Sequence, residues 1–293
     1  MSRRKSFPQG IHMRPVLFTI PYLNLPLYSY GFLLGLAFMS GFYVTFHFTR
    51  REGMRSGAIL WGMIAVMLFS MAGARAAYIF LIMGLENVSP GDIPGLILSQ
   101  RYEGLVAYGG FIGGTLAILV YTQVREMSFW SFVDCAAPAL ALGLGITRLG
   151  CFLSGCCHGR PAGAFWGVVF PVGSRGALLF PDPSSIPGQA CSVPLHPTQL
   201  YESALGFLIL LPLSLRLMQR KRFQGQVFLT FMLCYAAARF CLEFIRGDNA
   251  HGWALGPLST SQLVSLGIAP LALGLFLYRA RRAHGRGREI PVQ

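Results

Sequence analysis

The stretch QVFLTFMLCYAAARFCLEFI, residues Gln226–Ile245, decides what kind of fold this chain adopts. It is almost wholly apolar over about 20 residues, the length that an α-helix needs to cross a bilayer. Two charged residues, Arg239 and Glu243, interrupt it. A charged side chain at the centre of a membrane span costs roughly 2.5–3.5 kcal/mol on insertion scales, and such residues mark functional sites. The stretch therefore predicts both a membrane helix and a site.

The composition of the whole chain agrees with a helical membrane protein. Of 293 residues, 54% are hydrophobic and 12% are charged, whereas a soluble domain carries about 25% charged residues. We predict an all-α integral membrane protein, a single polytopic domain over residues 1–293 with about seven transmembrane helices. The predicted spans are Leu27–Phe46, Ala58–Met83, Gly104–Tyr121, Phe132–Leu149, Ala204–Leu217, Gln226–Ile245 and Gln262–Tyr278.

Basic residues cluster in alternate loops between these spans. Since cytoplasmic loops are enriched in Lys and Arg, this pattern predicts an external N-terminus and a cytoplasmic C-terminus with a basic tail at 279–293. The N-terminal Arg3, Arg4 and Lys5 argue for the opposite orientation, but the internal loops agree with one another. Basic loops beside spans also explain the net charge of +13 without a nucleic-acid partner. These loop residues are Arg50, Arg51 and Arg55; Arg125; Arg216, Arg220, Lys221 and Arg222; and Arg279, Arg281, Arg282, Arg286 and Arg288.

The other side of the membrane is expected to hold the chemistry. Residues 151–201 form a long loop rich in Gly, Pro and Cys, which this orientation places in the periplasm or outside the cell. Residues 1–26 form an N-terminal segment. We expect no cleavable signal peptide, because the first apolar run follows a Pro-rich stretch and is long enough to span.

Three arginines lie inside predicted spans: Arg75, Arg148 and Arg239. An anionic ligand held at the membrane, such as a phospholipid headgroup, would explain their cost. Arg148 lies in the Gly-rich stretch that ends the fourth span, and its planar guanidinium can bind a phosphate through two bonds. The alternative is a structural arginine that pairs with Glu202 or Glu243, or that extends to the membrane interface.

The sixth span carries Tyr235, Arg239, Glu243 and Arg246 at i, i+4, i+8 and i+11. At 100° per residue these side chains share one stripe of a helix, and Arg239 can pair with Glu243. A hydroxyl beside two arginines offers a proton relay and a phosphate clamp. A plain structural ion pair is the alternative interpretation.

The segment Leu195-His-Pro-Thr-Gln-Leu-Tyr-Glu202 precedes the fifth span. Pro197 suits a chain that enters a helix, and Thr198 or His196 can support the helix start. Glu202 is a candidate acid, base or salt-bridge partner at the membrane edge. The segment is also compatible with no more than a well-capped helix start.

The Cys-rich stretch offers four soft ligands within eight residues: Cys151, Cys156, Cys157 and His158. Zinc is one interpretation, although the usual C-x₂₋₄-C and H-x₃₋₅-H spacings are absent. A disulfide between Cys191 and either Cys156 or Cys157 is compatible with an external loop. Packing of small cysteines and a reactive thiol remain open as well.

In their order and spacing these motifs resemble the prolipoprotein diacylglyceryl transferase family, from about Tyr28 to Tyr278. The motifs are Tyr30-Gly31, Arg75 with Tyr78, Tyr108-Gly-Gly110, Arg148-Leu-Gly150, His196-Pro-x-Gln-Leu-Tyr-Glu202 and Tyr235-x-x-x-Arg-x-x-x-Glu-x-x-Arg246.

The resemblance implies a reaction, in which the diacylglyceryl group of phosphatidylglycerol moves to the lipobox cysteine of a preprolipoprotein, with glycerol 1-phosphate released. It implies a bacterial cytoplasmic (inner) membrane location, a site facing the periplasmic leaflet, and no metal or organic cofactor. The catalytic candidates that it implies are Arg148, Arg239, Tyr235, Glu243, Tyr108 and Glu202. The implied phospholipid-binding residues are Tyr30, Arg75, Gly109, Gly110, Gly150, Cys151, Gln199 and Arg246.

Two departures from the family pattern leave alternatives open. The family has a histidine before the Gly-Gly pair where this chain has Tyr108, and Asn-Phe-x-Asn-Gly-Glu where this chain has Cys151-Phe-Leu-Ser-Gly-Cys156. One alternative is a divergent paralogue that uses the Cys cluster for thiol or disulfide chemistry, or that lipidates another acceptor. The other alternative is a non-catalytic lipid-binding membrane protein.

Overall fold

The structure, a computed structural model, describes residues 13–21, 25–86, 107–163, 166–184, 191–247, 253–255 and 258–285. Helices dominate, and two short antiparallel hairpins accompany them. The helices are α1 (Ser29–Arg51), α2 (Ser56–Glu86), α3 (Ala107–Val124), α4 (Phe129–Leu153), α5 (Arg175–Leu179), α6 (Thr198–Arg220), α7 (Gln226–Glu243) and α8 (Thr260–Gly285). The strands are β1 (Val16–Ile20) paired with β2 (Leu25–Tyr28), and β3 (Trp253–Leu255) paired with β4 (Leu258–Ser259).

Six helices in the described ranges are long and apolar enough to cross a membrane: α1, α2, α4, α6, α7 and α8. The third predicted span corresponds to α3, in which Tyr108–Val124 is a shorter apolar helix. The start of that prediction, at Gly104, lies outside the described residues. The predicted fold class, an all-α integral membrane protein, is confirmed.

The fifth span begins earlier than predicted. The apolar run predicted Ala204–Leu217, but the helix begins at Thr198 and includes a π-helical segment, Leu205–Leu210. Its first turns contain Gln199, Glu202 and Ser203, all buried. Such polar residues lower the hydropathy, so the apolar run alone began this span too late. The helix start that Pro197 indicated is confirmed, since the helix begins at Thr198.

The described residues form two compact units, one from Met1–Thr45 with Asp134–Gln293 and the other from Phe46–Val133. In the second unit, α2 and α3 pack backbone to backbone through glycines. A Cβ on Gly109 would clash with the carbonyl of Gly73, and a Cβ on Gly113 would clash with that of Phe69. Small residues of this kind let membrane helices approach closely.

In the first unit, parts of α4, α6 and α7 enclose an apolar core that contains Ala137, Ala141, Leu210, Val227 and Phe231. The buried Asp134 of α4 accepts hydrogen bonds from the amides of Gly225 (2.7 Å) and Phe228 (2.9 Å). These bonds satisfy amides at the start of α7, which have no partner within the helix.

The predicted Cys-rich loop is a folded layer in its described part. Its first residues belong to α4 and its last to α6. Between them, Gly159 pairs with Arg246 just after α7, and Pro161 and Val168 both pair with Leu195. A second apolar core fixes this layer through Met13, Phe152, Phe170 and Leu195. The layer is thereby attached to the ends of the helices that carry the candidate residues.

Candidate active site

The carboxylate of Glu202 lies at the centre of the candidate site. Its side chain is only 2% exposed, and three arginines surround it. Arg148 Nη2 lies 2.7 Å from Oε2, Arg239 Nη1 lies 3.3 Å from Oε1, and Arg246 Nη1 lies 3.8 Å from Oε1. A buried carboxylate with such partners offsets part of the cost of burying the charges.

Different segments supply these side chains. Arg148 comes from the last turns of α4, Glu202 from the first turns of α6, and Arg239 from the last turns of α7. Arg246 follows α7, where the chain pairs with Gly159. The site thus forms where the ends of three helices meet.

Arg239 has two further partners. Its Nη2 lies 2.8 Å from Glu243 Oε2, so the predicted pairing within one helix is confirmed. The same nitrogen donates to Ser261 Oγ at 3.0 Å, at the start of α8. Ser261 was not among the predicted site residues, because a lone serine at a helix start carries no distinguishing sequence signal.

The site carries an excess of positive charge. Three guanidinium groups and two carboxylates, Glu202 and Glu243, leave a formal charge of 3 − 2 = +1. Arg148 is the most exposed of the three arginine side chains, at 18% against 10% and 7%. The Tyr235 hydroxyl hydrogen-bonds with Arg148, and its ring stacks on Phe231 at 6.1 Å. Arg148 is therefore the guanidinium best placed to meet an anion.

Three predicted lipid-binding residues lie beside this cluster. Gly150 packs against Tyr30, since a Cβ at Gly150 would lie 3.4 Å from the Cα and Cδ2 atoms of Tyr30, in van der Waals contact. Tyr30 lies close enough to interact electrostatically with Arg148 and with the nearby thiols. Gln199 turns toward the Cys-rich layer and donates to the carbonyl of Cys156 at 2.6 Å.

The structure brings three cysteines together. The sulfur atoms of Cys151, Cys156 and Cys157 all lie within 4.8 Å of one another. All seven cysteines of the chain are free thiols, and Cys191 is not in this group. Hydrogen bonds with the Cys151 and Cys156 thiols lower the pKa of Cys157, and hydrogen bonds with the Cys151 and Cys157 thiols raise the pKa of Cys156.

His158 does not join the thiols. It is fully buried, its ring packs between Phe170 and Phe180, and its Nδ1 lies 3.1 Å from the carbonyl oxygen of Gly159. The predicted set of four soft ligands is thus reduced to three sulfur atoms.

Four predicted site residues belong to the other compact unit: Arg75, Tyr108, Gly109 and Gly110. The Arg75 guanidinium lies over the ring of Tyr78, 5.5 Å from its centroid. Gly109 is buried at the close approach of α3 to α2. Catalytic or lipid-binding roles for these four residues remain predictions.

The fold and the site define a multi-pass membrane protein with a buried cluster of arginines and glutamates where its helices end. The sequence profile of one family, described as prolipoprotein diacylglyceryl transferase (LGT), matches residues 15–278. The chain belongs to this family.

Individual relatives align over nearly their whole length. Phosphatidylglycerol--prolipoprotein diacylglyceryl transferase of Geobacter sulfurreducens is 32% identical over 282 residues, covering 94% of this chain and 98% of the relative. The enzyme of the same name from Clostridium tetani is 30% identical over 270 residues, covering 92% and 98%. Phosphatidylglycerol--prolipoprotein diacylglyceryl transferase 2 of Clostridium perfringens is 31% identical over 274 residues, covering 94% of this chain and 98% of the relative. This chain is accordingly a multi-pass bacterial membrane protein and a transferase of this family.

Proposed function

We propose that the protein transfers the diacylglyceryl group of phosphatidylglycerol to the lipobox cysteine thiol of a preprolipoprotein, the first step of lipoprotein maturation. Membership of the family supports the reaction class. The observation that carries the proposal is the convergence of Arg148, Arg239 and Arg246 on Glu202. This cluster is a buried, positively charged site of the kind that a lipid phosphate requires.

The phosphate of the lipid binds at the arginines. Glu202 holds the three guanidinium groups in place before the lipid arrives, so little reorganisation is needed at the moment of reaction. The excess charge of +1 matches the single negative charge of a phosphodiester. Arg148, the most exposed of the three, makes the first contact.

The chemical step exchanges one bond for another. The thiolate of the acceptor attacks the diacylglyceryl carbon that bears the phosphate, a C–S bond forms, and the C–O bond to the phosphate breaks. The electron pair leaves with the oxygen of glycerol 1-phosphate, which gains negative charge. Arg148 and Arg239 stabilise that charge as it develops. Tyr235, Glu202 and Glu243 hold the arginines and offer a route for a proton.

We further propose that the site faces the periplasmic leaflet of the bacterial inner membrane, with the N-terminus outside and the C-terminus in the cytoplasm. Within α6, Glu202 and Arg220 stand about 27 Å apart at 1.5 Å per residue, close to the thickness of the hydrocarbon core. The basic loop at Arg220 and Lys221 favours the cytoplasm at that end. Arg279 of α8 donates to the carbonyl of Gln224 at 2.8 Å, so the basic start of the tail lies at the same end.

The test is formation of the thioether by the purified full-length protein. Protein in phosphatidylglycerol-containing micelles is mixed with a lipobox peptide, and the peptide is analysed by mass spectrometry. We expect the mass of one diacylglyceryl group on the cysteine and none on a matched peptide with serine in its place. A lipid-binding protein without catalysis would give no covalent product, which would reject the proposal.

A further inference from the structure

The three clustered thiols are not explained by the transfer reaction described above. Cys151 lies in the last turn of α4 and is buried, and Cys156 and Cys157 follow the helix end. The chain turns back on itself because Gly155 (φ 70°) and Cys157 (φ 62°) both adopt left-handed backbone conformations. The amide of Cys156 donates to the carbonyl of Cys151 at 3.1 Å and closes the turn.

A left-handed conformation is uncommon for a residue other than glycine, and such residues cluster at functional sites. In Cys157, this backbone conformation places the sulfur atom beside the sulfur atoms of Cys151 and Cys156. The sequence spacing Cys-x₄-Cys-Cys argued against a metal, but this turn brings the sulfurs together in a way that spacing does not reveal.

Side chains from α6 hold the turn in place. Gln199 Nε2 donates to the carbonyl of Cys156 at 2.6 Å, and Thr198 Oγ1 donates to the carbonyl of Cys157 at 2.7 Å. Both residues are buried. Because these bonds engage backbone carbonyls, they position the cysteines without using a sulfur atom. The thiols contact one another, and the Cys156 thiol lies 3.6 Å from the carbonyl oxygen of Cys151, so a bound ion would replace these weak thiol hydrogen bonds.

The sulfur positions suit a thiophilic metal ion. A zinc–sulfur bond is about 2.3 Å long, so sulfurs that share one ion lie about 4 Å apart. The observed separations, all within 4.8 Å, need to shorten by less than about 1 Å to reach that arrangement. Thiolates select zinc and other soft cations over hard ones such as magnesium.

The surroundings favour an anionic metal–thiolate centre. Zinc with three thiolates bears a formal charge of −1. Arg148 and Arg246 lie close enough to Cys157 to interact with it electrostatically. The arginines of the candidate site therefore lie beside the thiols and stabilise their negative charge.

We propose that Cys151, Cys156 and Cys157 bind a zinc-class ion as thiolates and leave a fourth position open for the acceptor thiol. Zinc sites with three protein ligands and an open position are typical of catalysis, whereas structural zinc sites have four protein ligands. No fourth ligand is present in the described cluster, since His158 packs between two phenylalanine rings.

The role of the fourth position rests on the proposed function, and the metal site itself does not. An acceptor thiol that coordinates the ion loses its proton to solvent and becomes a thiolate. That sulfur then forms the C–S bond, while the electron pair of the broken C–O bond leaves with the phosphate. The metal keeps its oxidation state, so no oxidant or reductant is needed.

The binding test uses Co²⁺ as a coloured substitute for zinc. Full-length protein in detergent is reduced, stripped with a chelator and titrated with Co²⁺ and then Zn²⁺. We expect one equivalent of Co²⁺ to give a thiolate-to-metal charge-transfer band that Zn²⁺ abolishes. Cys151→Ser, Cys156→Ser and Cys157→Ser should each weaken binding at least tenfold, and Cys234→Ser and Cys241→Ser, which change thiols on α7, should not.

The proposed metal site would be rejected if the wild-type protein gave no charge-transfer band. It would also be rejected if the band survived each of the three substitutions. Zn²⁺ should also raise the apparent melting temperature of the wild type but not that of the three variants, so folding is monitored in the same series. Addition of a lipobox peptide with cysteine should shift the Co²⁺ spectrum, whereas the serine peptide should leave it unchanged. An identical response to both peptides would overturn the open position.

The thioether assay and the Co²⁺ band together distinguish the metal site from the transfer reaction. If the chelated protein forms the thioether at the full rate, the activating role is wrong and the transferase function stands. If the Co²⁺ band appears as expected but no thioether forms with or without zinc, the metal site stands and the transfer reaction is rejected.

Discussion

Arg148 of α4 and Arg239 of α7 contact opposite oxygens of one buried carboxylate, that of Glu202, at 2.7 and 3.3 Å. The two arginines therefore share one environment, although they come from different helices. Two separate structural ion pairs would not require this convergence. Under the proposed function, the shared carboxylate presents both guanidinium groups to a single ligand.

Loss of Arg239 should abolish transfer while the protein still accumulates. Arg239→Ala removes a guanidinium that stabilises the leaving phosphate, and loss of one such donor costs about 10²–10³ in rate. The measurement is the initial rate of thioether formation at equal protein concentration. Arg281→Ala, at an exposed position of the basic tail helix, is the matched control and should keep the wild-type rate. Full activity in Arg239→Ala would refute the clamp.

Neutralising Glu202 should be more harmful than neutralising Glu243. Glu202→Gln leaves three arginines without their common partner, whereas among the described residues Glu243→Gln removes an ion pair with Arg239. Removal of one partner from a buried ion pair destabilises a protein by about 3–5 kcal/mol. Thermal unfolding in detergent should show the larger loss for Glu202→Gln. Equal losses would mean that Glu202 is not the centre of the site.

The close approach of α2 and α3 should depend on Gly109. Gly109→Val places side-chain atoms against the backbone of Gly73, and overpacking of this kind costs about 1–3 kcal/mol. Thermal unfolding is again the measurement. Gly57→Ala, at an exposed position of α2 with open space around it, should cause no loss of stability, since alanine favours a helix over glycine. A neutral Gly109→Val would contradict the packing of this unit.

The start of α7 should depend on Asp134. Asp134→Ala removes the acceptor for the amides of Gly225 and Phe228, and loss of a helix cap costs about 1–2 kcal/mol. Hydrogen exchange should speed up at those two amides more than in the middle of α7. Asp182→Ala, which removes a carboxylate from an exposed turn, should leave both amides unchanged. Protection that persists in Asp134→Ala would disprove the cap.

Hydropathy alone predicted the fold class and the approximate positions of the spans, because each span is a long apolar run. It failed at the start of α6, where Gln199, Glu202 and Ser203 are buried polar residues within a helix. Their partners lie elsewhere in the chain, so a local pattern cannot show that these side chains are buried.

The candidate site was predicted in part. The spacing of Arg239 and Glu243 on one helix face predicted their pairing, which the structure confirms. The sequence also offered Glu202 as a partner of Arg148, but not as the common partner of three arginines. The grouping of Cys151 with Cys157 depends on a left-handed turn, and spacing along the chain does not encode that conformation.

The most direct test of the central claim is binding of the lipid phosphate to the arginines. The ³¹P NMR signal of phosphatidylglycerol in micelles is recorded with increasing amounts of wild-type, Arg148→Ala, Arg239→Ala and Arg281→Ala protein. We expect a saturable shift or broadening of the signal with the wild type and with Arg281→Ala, and at least a tenfold weaker response with Arg148→Ala and Arg239→Ala. An undiminished response in both Arg148→Ala and Arg239→Ala would contradict the central claim.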